Sequence, residues 1–211
     1  DGLDARLLVQ EKRTKEECII GPSGVFEKLF YPIRPYLDFL PAYLYMFRRR
    51  PFFPALLPGN MIKKIRKLNP DLIHLNWVSG GMLSLSQLAT IEVPVVWTLH
   101  DMWAFTGGCH YSGACMGYEE SCGHCPQLKS MKYKDLSYRA IKRKAEAYKH
   151  MNVVFTTPSD WLTSCAGKSS LLKDFPCTTI PNMLDSNSFF PEDKMLCREK
   201  LGLKKNTLYI L

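Results

Sequence analysis

At 211 residues, with 46% hydrophobic and 23% charged side chains, the chain has the composition of an ordinary globular domain that can bury one sizeable core, which excludes disordered and fibrous classes. No apolar run approaches the ~20 residues a membrane-spanning helix needs, and the opening DGLDARLLVQ lacks the apolar stretch of a secretory signal. A net charge of +8 and a pI near 9.0 favour an anionic partner, yet no nucleic-acid-binding motif accompanies them.

Taken in chain order, the first predicted element is a strand over Arg6–Gln10 (RLLVQ). Residues 25–58 follow as an irregular excursion. They carry ten Phe or Tyr and six prolines, which predicts short helices joined by kinks. With Arg48, Arg49 and Arg50 beside them, these rings suit a membrane interface; the alternative is a helical excursion packed on the sheet. Asn60 is placed to cap a helix with Met61, Ile65 and Leu68 on one face, stopped by Pro70. Strands are predicted over Leu72–Leu75, Val93–Leu99, Val153–Thr156 and Thr178–Ile180. Before the third of these, Tyr138, Ile141, Ala145 and Tyr148 mark a helix face that leaves Lys142, Arg143 and Lys144 outside. The basic groups, eight Lys or Arg against two acids between Lys129 and Lys149 and a second set at Lys63, Lys64, Arg66 and Lys67, are either solvated helix faces or contacts to phosphate or anionic lipid.

Short apolar strands alternating with helices predict an α/β fold, a doubly wound parallel sheet of Rossmann-like type. Residues 1–190 are read as this domain, with 107–128 as a cysteine-rich loop, and 191–211 as a linker into a further domain. Both ends read as cut, because Leu208–Leu211 (LYIL) begins a strand and no glycine-rich loop precedes the first one.

In such sheets ligands bind beyond the carboxyl ends of the strands. The residues there are polar: Asn76, Trp77, Ser79, Gly80 and Gly81 after one strand, His100 and Asp101 after the next, then Ser159 and Asn182. An imidazole beside a carboxylate can bind a hydroxyl, orient a phosphate or move a proton. Helix capping accounts almost as well for Asp101 and Ser159, and a tight turn for the glycine pair. Cys109, Cys115, Cys122 and Cys125 are separated by five, six and two residues. A structural zinc site, packed free thiols and disulfides all remain open for them, with His110 and His124 as substitute metal ligands.

DLIHLNWVSGG, PVVWTLHDMWAFTGGCHYSGAC, CGHCPQL, TPSDWL and IPNMLDSNSFFP followed by LGL resemble the amino-terminal half of family-4 glycosyltransferases, in the branch that builds exopolysaccharides of the colanic acid type. The resemblance implies a two-domain enzyme with the acceptor on the first domain and the nucleotide sugar mainly on the second. It implies transfer with retention of anomeric configuration and no metal in the chemistry. His100, with Asp101 beside it, would contact the donor sugar or its diphosphate; Asn76, Trp77 and Gly80-Gly81 would line the acceptor side; Ser159 and Asn182 would approach the hinge. The acceptor would be a saccharide or a lipid-linked saccharide, and the location cytoplasmic, at the inner face of the membrane. A reducing compartment disfavours disulfides. This chain alone is expected to be inactive. A zinc-stabilised binding module and a membrane-surface scaffold are the alternatives from other classes.

Overall fold

The computed structural model describes residues 2–45 and 52–209, which fall into two compact units, Asp1–Ile180 and Pro181–Leu211. Arg48, Arg49 and Arg50 lie outside the described residues. The first unit is a parallel α/β domain. Its sheet contains β3 (Ile73–Leu75), β4 (Val95–Thr98), β5 (Val153–Thr157) and β6 (Cys177–Thr179) in that order, every pair parallel. Strands run in sequential order because each connection holds a helix: α4 (Leu85–Leu88), α5 (Leu136–Tyr148) and α6 (Asp160–Lys168). Four of the five predicted strands are found within one or two residues of their places.

The core forms where apolar side chains of the central strands meet aromatic rings. Trp97 of β4 and Phe155 of β5, opposite each other in register, are fully buried with ring centroids 5.7 Å apart, and Tyr148 of α5 closes over both. Burial of such rings contributes more than any other side-chain class to a core of this size.

The amino-terminal part departs from expectation. Arg6–Gln10 contributes only the two-residue β1 (Leu7–Leu8), which pairs in parallel with β2 (Ile19–Ile20) in a separate ladder and not with the main sheet. Apolar residues at β1 are partly exposed, so no buried face recruits them into the sheet. The excursion is built from α1 (Val25–Phe30), a 3-10 turn at Tyr31–Ile33 and α2 (Arg34–Tyr43). Pro32 and Pro35 sit in first turns, where a missing N–H is tolerated, so the chain stays helical through them; Pro41 lies inside α2. α2 is anchored by buried Asp38, whose Oδ1 accepts from the N–H groups of Leu56 (2.9 Å) and Leu57 (3.3 Å).

α3 (Met61–Leu68) corrects two expectations. Asn60 precedes it but makes no side-chain cap: its amide bridges the Tyr31 hydroxyl and the Glu27 carboxylate instead. The buried positions are Met61 and Ile62, while Leu68 is exposed, and the helix ends at Asn69 in left-handed backbone, one residue before Pro70. The largest correction is in α5. Its buried face runs through Leu136, Ala140, Ile141, Lys144, Ala147 and Tyr148, so Lys144 points into the core, not to solvent.

In the second unit, Asp193 caps α7 (Lys194–Lys200), accepting from the N–H groups of Met195 and Leu196 at 2.9 Å. Arg198 donates to the carbonyls of Lys205 and Thr207 at 2.8 Å. Leu208 and Tyr209 are irregular, and the rest of the strand expected at Leu208–Leu211 lies outside the described residues.

Candidate functional site

Three strands deliver their following residues to one edge of the sheet. β4 ends at Thr98, and two residues later His100 emerges, exposed, with Nε2 3.2 Å from Asn76 Oδ1 at the end of β3. An amide oxygen only accepts, so this contact places the proton of a neutral ring on Nε2 and leaves Nδ1 without a partner among the described residues. Asn76 is itself fixed from the core, its carbonyl accepting from buried Trp97 Nε1 at 3.0 Å.

His100 and Asp101 do not pair with each other. Asp101 Oδ1 accepts from the Trp103 N–H at 2.7 Å, and Oδ2 lies 2.6 Å from Nδ1 of His110. The His110 ring stacks on Trp77, 4.7 Å between centroids at an interplanar angle of 2°, and Phe53 meets both rings edge-on. One face of Trp77 is covered in this way while the residue stays 51% exposed. A cavity of about 30 Å³ lies between these groups, lined by Asn76, Trp77, Ser79, His100 and Asp101. Beyond His100 a second aromatic pair, Tyr111 and Trp161, stacks with centroids 6.4 Å apart, both half-exposed.

The remaining predicted residues sit as follows. Ser79 is buried. Gly80 and Gly81 both have positive φ, +67° and +78°, and a Cβ on Gly81 would stand 2.9 Å from Arg34 Cβ and 3.1 Å from the Arg34 carbonyl. Gly81→Ala is therefore expected to lower stability by about 1–2 kcal/mol, the usual cost of left-handed backbone for a residue with a Cβ, read from the urea midpoint. Ser159 is the N-cap of α6, its Oγ accepting from the Leu162 N–H. Asn182 lies in the second unit, exposed. Cys109, Cys115, Cys122 and Cys125 are all free thiols, Cys125 buried and the others partly so; among the described residues no group of three or more His, Cys, Asp or Glu is gathered to hold a metal ion. No helix among the described residues is long and apolar enough to cross a membrane.

The segment behind His100 and Asp101 is bolted from α5. Lys144 Nζ donates to the carbonyls of Trp103 and Thr106, the latter at 2.9 Å, and lies 3.8 Å from the centroid of the Trp103 ring. One helical turn on, the Tyr148 hydroxyl donates to the Ala104 carbonyl at 2.7 Å. Burial pushes the Lys144 ammonium down to about 7, against the pull of Cys109, Cys122 and Asp101. His110 and Lys144 are the residues that sequence reasoning assigned elsewhere, one as a substitute metal ligand and one to the solvent face.

A parallel α/β domain with polar groups converging at the carboxyl ends of adjacent strands is a Rossmann-like domain with a ligand site at its sheet edge. The chain belongs to Glycosyltransferase Family 4, whose model matches residues 19–186. It is also similar to WcaC of Escherichia coli (strain K12), named as a colanic acid biosynthesis glycosyl transferase, with 26% identity over 135 residues that make up 57% of this chain and 33% of WcaC. The chain thus spans about a third of the length of that relative. No solved structure matches it.

Proposed function

We propose that this chain is the acceptor-side domain of a glycosyltransferase that moves a sugar from a nucleotide-sugar donor to a saccharide or lipid-linked acceptor in polysaccharide biosynthesis. The observation that carries the reading is the exposed His100 imidazole held by Asn76 beside half-exposed Trp77 at the carboxyl edge of the sheet. Protonated, its free Nδ1–H can donate to a diphosphate oxygen; neutral, the same nitrogen accepts from a sugar hydroxyl. Both Asp101 oxygens are engaged elsewhere, so its part is to set the turn after His100 and to hold His110 against Trp77. An aromatic face of this kind offers an apolar surface to the C–H groups of a pyranose ring. Donor binding falls mainly to a second domain, no metal enters the chemistry, and the chain alone does not turn over. The test is an assay of the full-length protein with a panel of nucleotide sugars and bacterial lipid extract. Release of nucleoside diphosphate with formation of a glycosidic bond of retained configuration is expected, and no release with any donor would overturn the reading.

We further propose that the enzyme works at the cytoplasmic membrane face, where a lipid-linked acceptor would lie. Phe26, Leu29, Phe30, Ile33, Tyr36, Leu37, Leu40, Tyr43 and Leu44 recur every three or four residues through α1, the 3-10 turn and α2, and every one is exposed. That is an apolar helical stripe turned outward, the reverse of a core-packed helix. Its neighbouring acids are engaged, Glu27 by Lys64 at 2.8 Å and Asp38 by backbone, and the sequence continues directly into Arg48, Arg49 and Arg50. Lipid with anionic headgroups fits both features. Vesicles containing phosphatidylglycerol are expected to retain the protein at low salt and release part of it at high salt, since surface charges are screened within ~10 Å at 0.1 M. Leu40→Glu is expected to abolish retention in the sedimentation assay. Equal retention on neutral vesicles would remove the electrostatic part, and unchanged retention of the Leu40→Glu protein would remove the stripe.

A further inference from the structure

The loop at 107–128 contains a second construction that sugar transfer does not use. Cys109, Cys115, Cys122 and Cys125 all line one cavity of about 20 Å³, room for a single small ion or water. The C-x-x-C end is folded into a tight knuckle: Cys122, Gly123 and His124 take φ of +50°, +109° and +46° in succession, and a Cβ on Gly123 would lie 2.3 Å from the Tyr133 carbonyl. Buried Asp135 holds that knuckle in place, accepting from the Cys125 N–H at 2.9 Å.

Lys144 supplies an independent observation. It is fully buried, among the described residues no carboxylate forms an ion pair with it, and it donates to the carbonyl of Thr106, a residue that lines the same cavity as the four cysteines. A buried cation calls for a nearby anion. Neutral thiols do not provide one, since an S–H group carries no charge. Four thiolates around one divalent cation carry a net charge of about −2 and would provide it. The histidines of the loop are engaged elsewhere, His110 with Asp101 and His124 with the Met131 carbonyl at 3.0 Å.

We propose that Cys109, Cys115, Cys122 and Cys125 bind one zinc ion as a tetrathiolate site, with the Lys144 ammonium as its buried counter-charge. In the present arrangement no three of these donors share a coordination sphere, so binding draws the four side chains inward onto the cavity they already line. The step displaces four thiol protons and changes no oxidation state. Thiolate ligands select zinc among the common divalent ions that lack redox chemistry.

Elemental analysis of the chain purified without added metal is expected to find about one zinc per chain. Cobalt(II) should replace it and show thiolate-to-cobalt charge-transfer absorption. Cys109→Ser and Cys125→Ser are each expected to lose the metal, and Cys18→Ser, outside the loop, to keep it. If the loop variants do not fold, titration of the wild-type protein with a mercurial is expected to release zinc as its thiols are modified. Metal-free protein with eight reactive thiols on denaturation, two disulfides by mass, or zinc retained in a folded Cys125→Ser protein would each overturn the proposal.

Discussion

Lys144→Ala is expected to destabilise the first unit by about 3–5 kcal/mol, among the largest effects of any single substitution outside the aromatic core. The side chain is fully buried, and its ammonium is the donor for the carbonyls of Trp103 and Thr106. Truncation leaves both acceptors dry and unpaired at about 1–3 kcal/mol each, and opens a cavity where the four-carbon stem packed. It also returns part of this, because the native state no longer has to bury a cation. Lys144→Met separates the two contributions: it fills the stem volume and supplies no donor, so its loss is expected to fall between wild type and alanine. Urea unfolding of the three proteins, followed by tryptophan fluorescence, checks the order. If Lys144→Ala unfolds at the wild-type midpoint, the lysine does not hold the segment between Trp103 and Thr106.

That residue also shows where sequence reading ends. The sheet was legible because β3, β4, β5 and β6 are short apolar runs between helical segments, and the parallel arrangement follows from that alternation. Of the four residues that mark the face of α5 in the sequence, Ile141 and Tyr148 are buried and Tyr138 and Ala145 lie at its margin, while the buried face also takes in Ala140, Lys144 and Ala147. A lysine at a core position carries no sequence signal of its own. It becomes intelligible only when the carbonyls it meets, 41 and 38 residues earlier in the chain, are in place. The site divides in the same way. His100 and Asn76 could be placed at strand ends because strand ends are legible. The Asp101–His110 contact could not, since it closes a nine-residue loop without periodicity, and adjacency in sequence pointed to His100 instead. The outward stripe of α1 and α2 has the spacing of a core helix, and spacing alone does not say which way an apolar face points.

His100→Ala in the full-length enzyme is expected to lower turnover about 100-fold or more, with the fold intact. Loss of one preorganised donor at a position of developing charge costs on the order of 3 kcal/mol in the transition state. The ring is exposed, and among the described residues its one side-chain hydrogen bond is to Asn76 at 3.2 Å, so its removal leaves no buried group unsatisfied and the urea midpoint should not move. Asn76→Ala leaves the imidazole present but free to rotate, and a smaller fall of roughly tenfold is expected, since orientation is lost and the group is kept. Asp101→Asn gives a third pattern. It weakens the hold on His110, and through it the stacking of Trp77, so its effect should appear mainly in the KM for the acceptor and less in kcat. A single set of kinetics with saturating nucleotide sugar and varied acceptor distinguishes the three. Unchanged turnover of the His100→Ala protein would remove the imidazole from the chemistry and leave the carboxyl edge of the sheet as a binding surface only. If Asp101→Asn instead lowers kcat as far as His100→Ala does, the carboxylate acts on the reacting groups directly, not through His110 and Trp77.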